Sequence, residues 1–528
     1  MKNIYLLLLF ILSINYTAQQ LPMTEKVDIT WGNDIKMKKG SYYRDVIDVD
    51  ENSIYMSKWV KNDFIIELFN SKMISTQQET IDMSFDGKRD VMLEGIFLFG
   101  DDFIIMGSYS DKKTKENSIY YKTVSKNTLT KQSTWKELAS MTFEKRRRDG
   151  SFSYAMSPDS NKLMLYYDLP ILDKDAPAKF GFKVFDLGMK MDWEKELELG
   201  YGEKLFSIQN YRLSNKGDVY LIGQEFDLSQ YKMFSKREPS DRKYHILAYQ
   251  NQGKKFKDFN VVLKDTFIND ISYAIDEDVL VCAGFYSING RNSIKGTFYM
   301  TIDLNTQAVL KSTFKEIPED FITQDWTEKQ LNKAKKKESK KGKKIEAYEF
   351  DLRDFVLKDG GGARLLAEQY YVHVVTTTTT DANGNTTTRT TYHYYYNDVY
   401  IIDIAADGSI NWLSKVDKYQ HSINDGGYRS SYSLHVKEDK MYLMYNLRAK
   451  DYYEKEERTE MSRKDKKAYL TFISEVDNKG NIVDEILINN SEEETYVIPK
   501  FCEQITSNKT LIYTGKGKTQ KMGIATFK

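Results

Sequence analysis

Scarcity marks this 528-residue chain: 2 cysteines, 7 prolines, 5 histidines and no net charge, because 77 Lys+Arg balance 77 Asp+Glu. Balanced charge argues against a nucleic-acid binder, which needs a positive field. Past the N-terminus no apolar run approaches the ~20 residues of a spanning helix, so no transmembrane segment is expected. Few prolines fit a chain held mostly in strand ladders, whose hydrogen bonds proline cannot donate. Cys282 in VLVCAGF and Cys502 in PKFCEQI lie in separate apolar runs and read as small buried hydrophobes, not a bridge. His245, His373, His393, His421 and His435 show no HExxH or other metal-ligand spacing, so neither metal nor cofactor is expected. A GxSxG elbow and a calcium loop are also missing. The balance favours a protein that is not an enzyme.

What is present is aromatic. The 38 Tyr and 27 Phe demand burial and exclude a disordered chain. The N-terminus carries Met1-Lys2, an apolar stretch from Ile4 to Ile14, and small residues at Thr17-Ala18. That is the pattern of a secretory signal ending at residue 18, with no cysteine beside the cleavage point to carry a lipid. The remainder, residues 19–528, is expected to be one exported domain. Its expected place is the periplasm or the exterior, with any outer-membrane association made through protein contacts.

Helical periodicity is scarce, and short strand patterns bounded by Asn, Asp and Gly recur. One element, a turn followed by an apolar run, occurs eight times: DENSIYMSKW, GDDFIIMGSY, SNKLMLYYDL, KGDVYLIGQE, DEDVLVCAGF, GGARLLAEQY, EDKMYLMYNL and SNKTLIYTGK. Each copy is followed by a strand, a tight turn and a more polar strand, as in VYIIDIAADGSINWLSKV. Asp407-Gly408 and Lys479-Gly480 supply the positive-φ positions of such turns. Each unit therefore reads as four antiparallel strands, A to D. After KMGIATFK the chain stops without a D strand, and KVDITW from Lys26 is a candidate to supply it. Pairing the two ends would close a ring and remove exposed sheet edges. This pattern resembles the β-propeller architecture, without a WD dipeptide or kelch diglycine to specify a family. It implies an all-β fold of eight blades, or seven if the irregular third unit is not one.

In such a meander A–B and C–D turns share one end of the sheet, and B–C and D–A connections share the other. The long insertions fall in the second class: 319–348, 376–391 and 447–468, with shorter ones at 139–150, 168–180 and 224–244. Loops displayed by a rigid scaffold carry function, so this decorated face is the expected working surface. Three features of it are candidate binding elements. The first is the lysine run KAKKKESKKGKK, with Lys335, Lys336, Lys337, Lys340 and Lys341, to which Lys145–Arg148 adds charge. It suits an anionic envelope or glycan component; its segment is weakly helical, with Trp326 as the one large anchor. The second is a threonine ribbon whose Asn383-Gly384 turn would set Thr380 against Thr387 and Thr376 against Thr391. That register puts His373 and His393 on opposite faces and makes Thr378, Asn383, Gly384 and Thr388 a partner-binding hairpin. The third is a polar repeat at the start of innermost strands: Arg44-Asp45, Arg89-Asp90 and Arg353-Asp354, with Asp270 in a variant. These would ring the channel mouth, as ligand contacts or as links between blades.

The expected function is a non-catalytic binding or scaffold propeller that engages a protein or envelope component through its decorated face. The alternative is a carbohydrate-active enzyme, hydrolase or lyase, using carboxylates at the channel mouth. A fold hosts either role, so only the site can choose.

Overall fold

A strand that alternates large apolar residues must bury both faces, and in this protein each face goes to a different neighbour. In the second unit Phe103 and Ile105 point to one side, and Ile104 and Met106 to the other. The computed structural model describes residues 23–528 apart from 88, 145–148, 171–176, 203–205, 227–241, 262–265, 291–292, 381–385, 451–468 and 491. The expected signal, Lys145–Arg148, Asn383-Gly384 and most of insertion 447–468 lie outside the described residues.

Among the described residues the blade strands form eight antiparallel sheets, with a ninth, two-stranded pair of Ser293–Ile294 and Ala347–Tyr348; seven blades run in chain order from an inner A strand to an outer D strand. Seven lie within residues 41–81, 92–142, 151–202, 206–261, 267–316, 350–416 and 432–489. The eighth is built from Glu503–Thr506, Lys509–Lys516 and Thr519–Phe527, and its fourth strand is Val27–Trp31. The third unit is a full blade. The protein is an eight-bladed β-propeller.

Eight hydrophobic cores lie one between each pair of neighbouring blades, and the eighth joins blade 8 to blade 1. Tyr43, Met56 and Phe69 of blade 1 meet Leu511, Tyr513 and Ile524 of blade 8 there. Cys282 and Cys502 are both free and pack in different cores.

Closure depends on one short pairing. Val27 lies opposite Phe527, Ile29 opposite Ala525 and Trp31 opposite Gly523, and Lys528 N–H donates to the Lys26 carbonyl at 2.9 Å. Gly523 is required by packing: a Cβ there would lie 2.6 Å from the Trp31 ring. Val27 is buried between blades 7 and 8, which at ~25 cal/mol per Å² is worth about 1.5–3 kcal/mol. His435 adds a link, stacked on Phe527 at 3.7 Å and hydrogen-bonded through Nδ1 to Thr510 at 2.8 Å.

The insertion between blades 5 and 6 holds two helices, α1 (Glu319–Thr323) and α2 (Glu328–Lys341). Thr327 starts α2 with a capping box: its hydroxyl accepts from Gln330 N–H, and the Gln330 side chain accepts from Thr327 N–H. Gly342, in the left-handed conformation, ends it. Trp326 is not the only anchor. Ile322 is buried and Phe321 packs edge-on against Tyr400 at 5.0 Å. The short spacing of these two residues before α2 gives no helical period to read.

A chain beginning at Ile35 should lose the closing strand and expose the edge of Thr519–Phe527. We expect its melting temperature to fall by at least roughly 10 °C, or the chain to aggregate. Scanning calorimetry against the intact chain measures this.

Candidate binding face and channel mouth

The inner strands share a distortion that the sequence repeat reflects. Register shifts by one residue at Arg44, Glu94, Gln209, Asn269 and Arg353 in blades 1, 2, 4, 5 and 6. Each is a bulge near the decorated end, and bulges re-aim side chains. Inner strands of successive blades touch, including those of blades 1 and 2 and of blades 5 and 6, so the bulged residues can reach the next blade. The Arg44 guanidinium donates to the Leu93 and Glu94 carbonyls at 3.4 and 3.5 Å. Asp270 accepts from Leu352 N–H at 3.3 Å, and Asp354 from the Tyr432 hydroxyl at 2.6 Å. Arg44 and Arg353 thus occupy the bulge, Asp45, Asp270 and Asp354 the position after it, and Arg44, Asp270 and Asp354 tie blade to blade.

Arg89-Asp90 does not belong to this ring. Arg89 precedes the inner strand of blade 2 and pairs with Asp86 at 2.7 Å and Asp111 at 2.8 Å, its guanidinium over Tyr109. Asp90 bridges to Ser84. The position equivalent to Arg44 is Glu94, which accepts from Ser108 Oγ at 2.5 Å. Sequence alignment misplaced it because the shared feature is a bulge, not an Arg-Asp pair.

One cavity of the mouth lies between blades 8 and 1. It measures about 210 Å³ and is lined by Arg44, Asp45, Lys500, Phe501, Glu503 and Tyr513, among others. Burial raises the pKa of Glu503, and the charge of Asp45 adds to it. Asp45 is likewise raised by burial, against the pull of Arg44 and the Ser57 hydroxyl. Lys500 lies over Tyr396 at 4.1 Å and donates to its hydroxyl at 2.8 Å, and burial lowers its pKa. Beneath it Glu368 is fully buried, bonded to Lys418 Nζ at 2.6 Å, Ser431 Oγ at 2.7 Å and Arg353 Nε at 3.2 Å. A buried pair this well bonded fixes geometry more than it adds stability. Lys500, Glu503 and Glu368 were not singled out in the sequence, where nothing in their local pattern distinguishes them.

On the threonine ribbon the structure corrects the register. Ala363–Thr380 and Thr386–Ile404 pair as B and C strands of blade 6 and continue as the ribbon. Thr380 lies opposite Thr386, Thr376 opposite Thr390, and His373 opposite His393, so both histidines share a face. The cause is a bulge at the base, where Gln369 opposes Asn397 and Asp398. Inside it the register is the one an Asn383-Gly384 turn implies; outside it every pair slips by one. Thr378 and Thr388 are directly opposite, hydroxyl oxygens 3.3 Å apart. Gln420–Ile423 pairs along His393–Tyr396. Beyond it, among the described residues, no third strand pairs with Thr376–Thr380 or Thr386–Thr390. Val372, Val374 and Tyr392 are exposed.

Helix α2 buries none of its residues. Lys335, Lys336, Lys337, Lys340 and Lys341 are exposed and form no ion pair among the described residues. Lys337 shares a groove of about 300 Å³ with Trp326, Lys333, Lys343, Lys344 and Tyr348. The groove rests on Glu346, buried and accepting from Ser293 Oγ at 2.5 Å and Ile288 N–H at 2.7 Å. Among the described residues, Asp325, Asp398 and Asp417 bring carboxylate oxygens within 4.8 Å of one another, but Lys415 pairs with Asp325 and Asp417 and supplies the cation.

No family model matches the sequence, and no curated protein matches it. Among solved structures the chain is similar to the WD40 domain of SCAP from fission yeast, at 8% identity over 96% of this chain and 99% of that one, TM-score 0.36. It is similar to polysaccharide lyase Uly1 at 10% identity, covering 95% and 100%, TM-score 0.35. It also resembles the β-propeller domain of the Trilobed protease from Pyrococcus furiosus at 11% identity, covering 88% and 99%, TM-score 0.34. None of these likenesses bears on activity.

Asp270 offers a test of the mouth. Burial pushes its pKa to about 6, Asp351 adds to this, and Leu352 N–H and Arg353 oppose it. A carboxyl held above its unfolded value makes a contribution to stability that is fully present below pH ~4 and is lost as pH rises through about 6. Asp270→Asn keeps an acceptor for Leu352 without the charge. It should melt roughly 2–5 °C higher than the parent at pH 7.5, with the gain vanishing at pH 4. Melting curves of both chains across that range measure it.

Proposed function

We propose that this protein is an exported, non-catalytic binding propeller that docks a protein partner of the cell envelope on its decorated face. The observation that carries this reading is the ribbon. Eleven consecutive cross-strand pairs, from Tyr370 to Thr380, extend from blade 6, about 35 Å at ~3.3 Å per residue. Its outer arms add nothing to any of the eight cores, and their backbone edges are open. Exposed edges normally carry Lys, Pro or bulges that block pairing. Along Thr376–Thr380 and Thr386–Thr388 none is present. An extended segment of a partner could add to such an edge, with main-chain hydrogen bonds for affinity and alternate side chains for selectivity. The lysines of α2, on the same face, would steer an acidic partner.

A second reading has its own support: Asp45 and Glu503, both raised, share the mouth cavity with Lys500. Carboxyls with raised pKa suit general acid chemistry on a glycan.

Replacing Thr376–Thr391 by a short Gly-Ser turn tests the first reading. The truncated protein should melt within about 2 °C of the parent, since exposed residues contribute little, and should lose a partner that co-purifies with the intact chain from envelope extract. Lys335, Lys336, Lys337, Lys340 and Lys341 changed together to Gln should weaken the same capture and flatten its salt dependence. A truncated chain that keeps every partner overturns the reading. Depolymerisation of a polysaccharide by the intact chain, lost in Glu503→Gln, would favour the second.

A further inference from the structure

Three of the five histidines line the base of the ribbon on three adjacent strands; two are in contact, and the ring nitrogens of all three do not lie within 4.8 Å of one another. His373 is on one arm, His393 directly opposite on the other, and His421 on the third strand, Gln420–Ile423. The corrected register makes this a single face. His421 lies opposite Tyr395, two residues along from His393, so side-chain alternation points all three rings the same way. His393 Nδ1 and His421 Nε2 are 3.0 Å apart, with ring planes 3° from parallel. His373 and His393 ring centroids are 6.3 Å apart. Tyr395 stacks on His421 at 4.5 Å and on Tyr371 at 4.6 Å, and holds the His421 ring in place.

Two neutral imidazole nitrogens in contact share one proton at most, so the contact is one hydrogen bond at a cost in rotamer freedom. The same separation has a second use. Two nitrogens each ~2.0–2.1 Å from one zinc ion at a tetrahedral angle lie about 3.3 Å apart. The two rings now meet head-on, so admitting the metal takes an in-plane turn of roughly 35° by each ring as well as an opening of a few tenths of an ångström. His373 is exposed and has no hydrogen-bond partner among the described residues, which leaves its ring free to turn inward.

We propose that His373, His393 and His421 form a binding site for a divalent transition metal ion that prefers imidazole, zinc or copper in type. Three nitrogens with an open fourth position suit either ion. Bound there, the ion ties both ribbon arms to the third strand and fixes the direction in which the ribbon leaves blade 6. The site is separate from the mouth cavity and from the α2 groove, and it does not depend on the docking proposal.

The test is calorimetric titration of the untagged full chain with zinc chloride. The intact protein should bind one equivalent with saturation. His393→Gln and His421→Gln should each weaken binding roughly 100-fold and His373→Gln roughly 10-fold, all with melting curves near the parent in the absence of metal. A second measurement needs no variant: the electron paramagnetic resonance spectrum of the intact chain with one equivalent of copper(II) should show nitrogen coupling from three imidazoles. Unsaturable binding overturns the proposal, as does equal zinc affinity in the His393→Gln/His421→Gln double variant. A copper spectrum with fewer than two nitrogens does the same, and unchanged affinity in His373→Gln removes the third ligand.

Discussion

A ring of sheets has one seam, and five residues hold it shut. Val27–Trp31 completes the last blade from the other end of the chain, so the backbone groups of Thr519–Phe527 are paired and blade 8 can present its second face to blade 1. Without that strand the eighth core, where Tyr43 and Phe69 meet Tyr513, would border an unpaired edge. Every other inter-blade core has the same two-sided logic, yet each lies between blades that are consecutive in the chain. Only the seam brings residues some 500 positions apart into register, and the closed ring avoids the exposed edges that favour aggregation.

Closure also explains how charged side chains are tolerated so deep. The inner strands crowd at the axis, and the bulges at Arg44, Asn269 and Arg353 turn polar groups at or just after them toward the next blade. Asp354 to Tyr432 and Asp270 to Leu352 are hydrogen bonds of this kind. Glu368 and Lys418, both fully buried, are bonded to each other, and Ser431, Arg353 and Gln420 complete their hydrogen bonds. A rigid mouth follows, and the insertions stand on it. The B–C and D–A loops of blades 5 and 6 are stitched by the short pair Ser293–Ile294 with Ala347–Tyr348, with Glu346 buried beneath.

Much of this was legible in the sequence because it is written in local chemistry. Apolar alternation and turn residues marked all eight B strands, and the missing last strand pointed to KVDITW. What escaped depends on non-local choices. The ribbon register turned on a bulge at Gln369 against Asn397 and Asp398, which no turn motif announces, and with it went the shared face of His373 and His393. Arg89 looked like a ring member by composition, whereas Glu94 is one by geometry. Lys500 and Glu503 reach the mouth only because the end of blade 8 comes round beside blade 1. The helical anchors Phe321 and Ile322 were hidden by a one-turn helix too short to show a period. Strand bulges, a distant packing partner and a helix too short for a period set these four, and none of them shows in a local residue pattern.

Hydrogen exchange read residue by residue tests the central claim, a ring closed by its own ends that displays an open ribbon edge. The account predicts that amides of Val27–Trp31 and Thr519–Phe527 exchange as slowly as those of the central strands of blades 4 and 5, because opening the seam opens the ring. The outward amides of Thr376–Thr380 and Thr386–Thr390 should exchange orders of magnitude faster in the isolated protein and slow when envelope extract is added. Fast exchange along Val27–Trp31 with a protected core elsewhere would contradict closure. A ribbon already protected in isolation would contradict the open edge.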